Sequence, residues 1–193
     1  FTAKNETGRP FGEEDAKAFY YYIPVPKKGD NWDTHIQDKP FEFNMKMSGP
    51  ATMIGSSQSD LQVQYSTTVD SKATIGDPLY YNNKDNYVDA DKISDWSTVK
   101  MLRISAKDTV TEIPNNAEIK IYLHYEAEKA TSALVGSVVN FGPCGYTPYT
   151  VGNEENGGHM PLPHIQAEFQ TGIIEGKIFV DRNFNGVYDE DTD

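Results

Sequence analysis

Oxygen-bearing side chains recur at alternate positions near one end of the chain, in Asp181, Asn183, Asn185, Asp189 and Asp191, with Gly186 and Val187 between them. Donors at loop positions one, three and five, glycine at six and a carboxylate at nine are the layout of a calcium loop. A hard cation of this kind takes six to eight oxygens at about 2.3–2.6 Å, and alternate residues of a tightly wound loop can aim side chains inward. Gly186 supplies the sharp turn, the carbonyl of Val187 can then face the ion, and Asp189 ligates directly or through a water. Thr192 stands where twelve-residue calcium loops carry a bidentate glutamate, which leaves Asp191, Asp193 or residues farther along to complete the shell. The plainer reading of the same stretch is an acidic, Asn-Gly-rich turn without an ion. The expectation is Ca²⁺, held by Asp181, Asn183, Asn185, Val187, Asp189 and Asp191.

The other chemistry-bearing residues are scattered. Cys144, the single cysteine, permits no internal disulfide and lies in the turn-like Gly142-Pro143-Cys144-Gly145. His159 and His164 flank a Met-Pro-Leu-Pro stretch at a spacing resembling a zinc pair. Two prolines make that segment extended, however, and no cysteine or carboxylate cluster accompanies it. His35 and His124 are isolated, and no Gly-x-Ser-x-Gly elbow supports hydrolase chemistry. Asn5-Glu6-Thr7 fits a glycosylation sequon, a triplet that also arises by chance. Phe19, Tyr20, Tyr21 and Tyr22, with Tyr80 and Tyr81, could stack on sugars. Consecutive strand residues alternate faces, so core and cross-strand packing is the better reading. The expected role is non-enzymatic.

Composition removes further classes. The 193 residues carry 29 Asp+Glu against 17 Lys+Arg, a net charge of −12, which disfavours nucleic-acid phosphates and anionic membrane surfaces. No apolar run approaches the roughly 20 residues that span a bilayer. With 12 Tyr, 9 Phe and 2 Trp the chain is nevertheless too aromatic for disorder. The stretch Phe1–Pro10 has neither an initiator Met nor a signal-like segment, and reads as part of a longer protein.

Strands must position whatever function there is. Phe41, Phe43, Met45 and Met47 alternate with Glu42, Asn44 and Lys46, as a half-buried strand requires. Leu61 to Tyr65 repeats the pattern, and Ile119, Ile121, Leu123 and Tyr125 give its strongest instance. Val99 to Ile104, Val135 to Phe141 and Ile165 to Phe169 are further candidates. Phe19 to Val25 is another, placed at an edge or leaving its sheet at Pro24 and Pro26. Helix signals are sparse: Glu13 to Ala18 and Glu126 to Ala133 hold helix formers but sustain no 3.6-residue period. Turns are expected at Lys28–Asn31, Gly76–Pro78, Tyr81–Asn86 and Gly152–Gly158. The pattern predicts an all-β sandwich over 1–172. Composition shifts near Gly172, and 173–193 would be the opening strand and loop of a following unit, truncated here.

The segment from Gly176 to Asp191 resembles the start of the calcium-binding B-repeats of Gram-positive serine-aspartate repeat surface proteins, small sandwiches related to the collagen-adhesin B modules. Gly176, Phe179, Asp181, Asn183, Asn185, Gly186 and Asp189 match that family's pattern, and Thr192 replaces its usual glutamate. Ser59 to Thr68, Trp96, Val99 to Ile104 and Ala117 to Tyr125, with Tyr22 to Gly29, are more loosely similar to the large domains that precede such repeats. The resemblance implies an Ig-like sandwich in an extracellular, cell-wall-anchored adhesin or stalk. Its partners would be neighbouring modules of the same chain and a host matrix protein or glycan. It also raises Lys–Asn isopeptide crosslinks, for which no position can be chosen, and a Cys–Gln thioester, whose accompanying Thr-Gln signature is missing around Cys144. Two alternatives stand beside the stalk: a ligand-binding module using loops such as Tyr80 to Asn86, and an accessory domain of a secreted polysaccharide-degrading enzyme.

Overall fold

The computed structural model describes residues 2–17, 20–29, 41–70, 77–81, 83–128, 135–141, 144–151, 154–161 and 165–168. These residues are mostly strands: β1 (Thr2–Lys4), β2 (Phe11–Gly12), β3 (Tyr20–Pro24), β4 (Met45–Met47), β5 (Thr52–Gly55), β6 (Leu61–Ser66) and β7 (Met101–Ala106). They continue with β8 (Glu112–Ile113), β9 (Glu118–Tyr122), β10 (Tyr125–Ala127), β11 (Val138–Phe141), β12 (Cys144–Val151), β13 (Glu154–Pro161) and β14 (Ile165–Glu168). One short helix, α1 (Glu13–Lys17), and three 3-10 turns between Lys84 and Thr98 interrupt them. No helix among the described residues is long and apolar enough to cross a membrane. The all-β expectation holds.

All pairings among the described residues are antiparallel. The largest sheet has the order β13-β12-β3-β7-β6, a second runs β1-β9-β5, and β10-β4, β11-β14 and β2-β8 form two-stranded ribbons. One apolar core joins the two larger sheets. Ile23, Tyr65, Leu102 and Ile104 from the five-stranded sheet pack with Ile119 and Ile121 of β9 and Met47 of β4. Alternation explains the choice, because Ile119 and Ile121 are buried while Lys120 and Tyr122 between and beyond them are exposed. Each of these side chains contributes about 2 kcal/mol by leaving water. Gly55 closes β5 with φ +151°, and a Cβ there would run into the Glu118 carbonyl oxygen and to 2.9 Å from Ile119 Cα, so the close approach of β5 to β9 needs glycine.

Strand β7 breaks the alternation, being buried at every position. Both of its faces are covered. Leu102 and Ile104 enter the shared core, whereas Met101 joins Tyr22, Val69, Tyr80, Tyr81 and Tyr87 in a second cluster on the opposite face. The lid over that face is the segment 77–88, drawn down by Tyr80, Tyr81 and Tyr87 and tied to the edge of β6 by the Tyr65–Val88 bridge.

Several local expectations need correction. Of Phe19 to Val25, Tyr20–Pro24 is β3, which ends at Pro24 as expected but is a central strand and not an edge, because it lies between β12 and β7. Pro24 is tolerated because β12 pairs only Tyr20, Tyr21 and Tyr22, so no acceptor waits for its missing N–H. Of Phe41 to Met47 only Met45–Met47 is strand. Phe41 and Phe43 are buried as the pattern required, but 41–44 docks on the 26–29 segment, with Gly29 N–H on Phe41 O at 2.9 Å and Lys28 N–H on Asn44 Oδ1 at 2.8 Å. The run Ile119 to Tyr125 splits at Leu123–His124 and serves two sheets, β9 pairing β1 and β5, and β10 pairing β4. Strand β6 ends at Ser66, whose Oγ accepts the Val69 N–H at 3.1 Å and turns the chain. Cys144 opens an eight-residue strand instead of sitting in a turn, and Glu154–Gly158, expected as loop, belongs to its partner strand β13. The boundary at Gly172 and the segment 173–193 lie outside the described residues.

Candidate functional site

The tyrosine-clad face of the five-stranded sheet is where aromatic and polar side chains converge. Strand register sets its membership. Tyr22 lies opposite Arg103, which lies opposite Gln64, and one pleat along, Tyr20, Ser105 and Gln62 are opposite one another. Tyr21 points the other way and packs against the shared core. The rings meet edge-on and tilted: Tyr22 to Tyr81 at 5.0 Å and 73°, Tyr80 to Tyr81 at 4.3 Å and 47°, and Tyr22 to Tyr87 at 6.1 Å and 49°. Such pairs contribute roughly 0.5–1.5 kcal/mol each beyond their buried area.

Polar bonds hold the covering segment. Tyr87 donates its hydroxyl to Tyr81 O at 2.6 Å, while Asn83 and Asn86 both donate side-chain N–H groups to Pro78 O, at 3.0 and 2.7 Å. Asp77 Oδ1 accepts from Leu79 N at 2.8 Å and starts the turn. Burial pushes the Tyr87 hydroxyl far above the ordinary phenol range, and the nearby Tyr22 adds to this while Arg103 opposes it. On the core side, burial pushes Tyr21 up to about 12. Tyr22, Tyr80, Tyr81 and Tyr87 are therefore packing residues, as the sequence argued for Tyr22, Tyr80 and Tyr81. Any recognition by the Tyr80–Asn86 loop would fall to its exposed Lys84 and Asp85 instead of its rings.

The expected calcium donors Asp181, Asn183, Asn185, Val187, Asp189 and Asp191 lie outside the described residues. Among the described residues no three His, Cys, Asp or Glu side chains gather in a way that could hold a metal ion. His124 bonds Thr52, its Nε2 3.1 Å from Thr52 Oγ1; His35 and His164 lie outside the described residues. Asn5 of the sequon-like triplet is bonded within the fold. It is 4% exposed, and its Nδ2 donates to the carbonyls of Arg9 at 2.9 Å, Pro114 at 3.1 Å and Ile113 at 3.3 Å. Its Oδ1 accepts from the Thr7 N–H and hydroxyl. Asn5 is a structural clasp that fastens the end of β1 to the turn before β9, its side-chain N–H groups engaged by backbone carbonyls.

Arg103 is the residue that sequence reasoning passed over. It is a buried cation, 8% exposed, with its guanidinium 4.4 Å from the Tyr20 ring centroid. The available signal was the Met101-Leu102 pair beside it: two adjacent large apolar residues in a strand mark cover on both faces, so the next outward residue had to be buried too. No protein-family model, no curated protein and no solved structure matches this chain.

Proposed function

We propose that the chain is a non-enzymatic module of an extracellular, cell-wall-anchored surface protein, an Ig-like sandwich over 1–172 joined at about Ile173 to a calcium-binding B-type repeat. The observation that carries this reading is the donor spacing Asp181, Asn183, Asn185, Gly186, Val187, Asp189, entered through the apolar, strand-like Gly176 to Val180. The donor set is all oxygen, carboxylates and amides with one backbone carbonyl, and so fits a hard divalent cation. The antiparallel sheets, the shared core and the tied-down segment 77–88 are consistent with a rigid spacer.

Calcium acts mechanically in this account. Bound charge offsets the repulsion among Asp181, Asp189 and Asp191, orders the loop and stiffens the seam between two modules. The test is thermal melting of this chain extended through the complete following repeat, with saturating calcium and then with EDTA. A rise in melting temperature that EDTA reverses is expected. An unchanged melting temperature under saturating calcium ends the mechanical role.

A further inference from the structure

The five-stranded sheet ends in two edges that are treated differently. At β6 the edge is occupied: Tyr65 N–H donates to Val88 O at 2.8 Å and Val88 N–H to Tyr65 O at 2.9 Å, so the segment 77–88 takes groups that a further strand would use. At β13 no strand among the described residues pairs beyond it. Strand β13 is eight residues long and keeps an unbroken register with β12 from Glu154 to Pro161, so no bulge twists this edge away. It holds no lysine or arginine, and its one proline is the last residue. Long edges are normally blunted by such devices, because their free N–H and C=O groups template another strand. Which groups are free follows from alternation across the sheet. Val25 N–H bonds Lys100 O at 2.8 Å, so Tyr21 and Ile23, in step with Val25, turn their backbone groups to β7, and Tyr20 and Tyr22 turn theirs to β12. Cys144 and Tyr146 lie opposite those two and direct their own groups at β3. The alternate residues of β12, Gly145 to Val151, therefore bond Met160, Gly158, Asn156 and Glu154. Glu155, Gly157 and His159 are left with N–H and carbonyl groups aimed away from the sheet, and Pro161, next in that series, has no N–H and ends it.

We infer that β13 is an interaction edge whose partner is β13 of a second copy of this chain, paired antiparallel about a two-fold axis through Gly157 and joining two five-stranded sheets into one. In that register Gly157 exchanges both backbone bonds with its own counterpart, while Glu155 of each copy exchanges its bonds with His159 of the other. It is the one register in which Glu155, Gly157 and His159 are all satisfied by one another. A slip toward Pro161 meets a residue with no N–H, and a slip centred on Glu155 sets two carboxylates opposite each other. The strand is complementary to itself in charge as well, because the acid of one copy takes the register position opposite the imidazole of the other, twice by symmetry. Gly157 at the axis and Gly158 beside it bring no side chain to the place where the two backbones meet.

This edge is independent of the calcium loop and is tested on the chain as it stands. Salt of about 0.15 M gives a Debye length of about 8 Å, which screens the net charge of −12 except between groups in contact. Sedimentation equilibrium between about 10 μM and about 1 mM should show monomer passing to dimer. Amide hydrogen exchange followed by NMR over the same range should slow at Glu155, Gly157 and His159, while Asn156 and Gly158, bonded within the sheet, stay as they were. Gly157→Pro removes an N–H that the chain's own sheet does not use, so it should leave β9 protected and the chain monomeric. His159→Glu sets like charges opposite each other and should weaken the dimer about tenfold, and adding Glu155→His to the same chain should restore it. A chain still monomeric at about 1 mM overturns the proposal. So does a dimer with unchanged exchange at Glu155, Gly157 and His159, one that persists in Gly157→Pro, or one indifferent to the charge swap.

Discussion

Leu102 and Met101 are neighbours in β7, both fully buried, yet they are covered by different means. Leu102 meets aliphatic side chains of the opposing sheet, Ile119 and Ile121 among them. Met101 clusters with Tyr22, Val69 and the tyrosines of one covering loop segment, which is held in place by hydrogen bonds from Tyr87, Asn83 and Asn86. The first cover is non-directional and scales with area, so its weakness is lost volume. The second is directional, so its weakness is a lost bond or a new charge. One strand thus belongs to two kinds of core.

Alkaline pH attacks both faces at once and is the largest effect expected. Tyr21 on one face and Tyr87 on the other are held above the ordinary phenol value of 10.0 by burial. An unfolded chain releases these protons first. The stability they contribute is therefore complete below pH 10, declines above it, and for Tyr21 is lost as pH rises through about 12. Urea unfolding across that range should show falling midpoints, with phenolate absorbance of the buried rings appearing only as the chain unfolds. Phenolate signal from all tyrosines at pH 10 in a still-folded chain contradicts the packing. Next in size is Leu102→Ala, which should cost about 3 kcal/mol in equilibrium unfolding through the cavity it leaves. Smaller is Tyr87→Phe, which keeps the ring and removes one bond, at about 1 kcal/mol. It should also increase hydrogen exchange across 77–88 while leaving β9 protected. Equal loosening of both regions would erase the distinction between the two covers.

The apolar face was legible because period two is a local signal. Leu61 to Tyr65 and Ile119 to Tyr125 alternate, and their inward residues are the ones packed against the shared core. The tyrosine face was legible only in part. Alternation separates Tyr21 from Tyr20 and Tyr22, but what covers Tyr22 is a loop segment whose docking depends on contacts remote in sequence. The β12–β13 hairpin was missed for a related reason. Pro148, Gly157 and Gly158 weaken its local propensity, and the pairing of β12 with β3 overrides that preference. Asn5 illustrates the limit of motifs: three residues matched a sequon, and only the carbonyls of Ile113 and Pro114, more than a hundred residues away, reveal the clasp. The donors from Asp181 to Asp191 stay a reading of spacing and residue type.

That reading is tested most directly by calorimetric titration of calcium into the chain extended through the following repeat, alongside its Asp181→Ala variant. The account predicts a saturable calcium site in the parent that is lost or strongly weakened by the substitution, since position one supplies a direct carboxylate ligand. No saturable calcium heat in the parent, or an isotherm unchanged by Asp181→Ala, contradicts it.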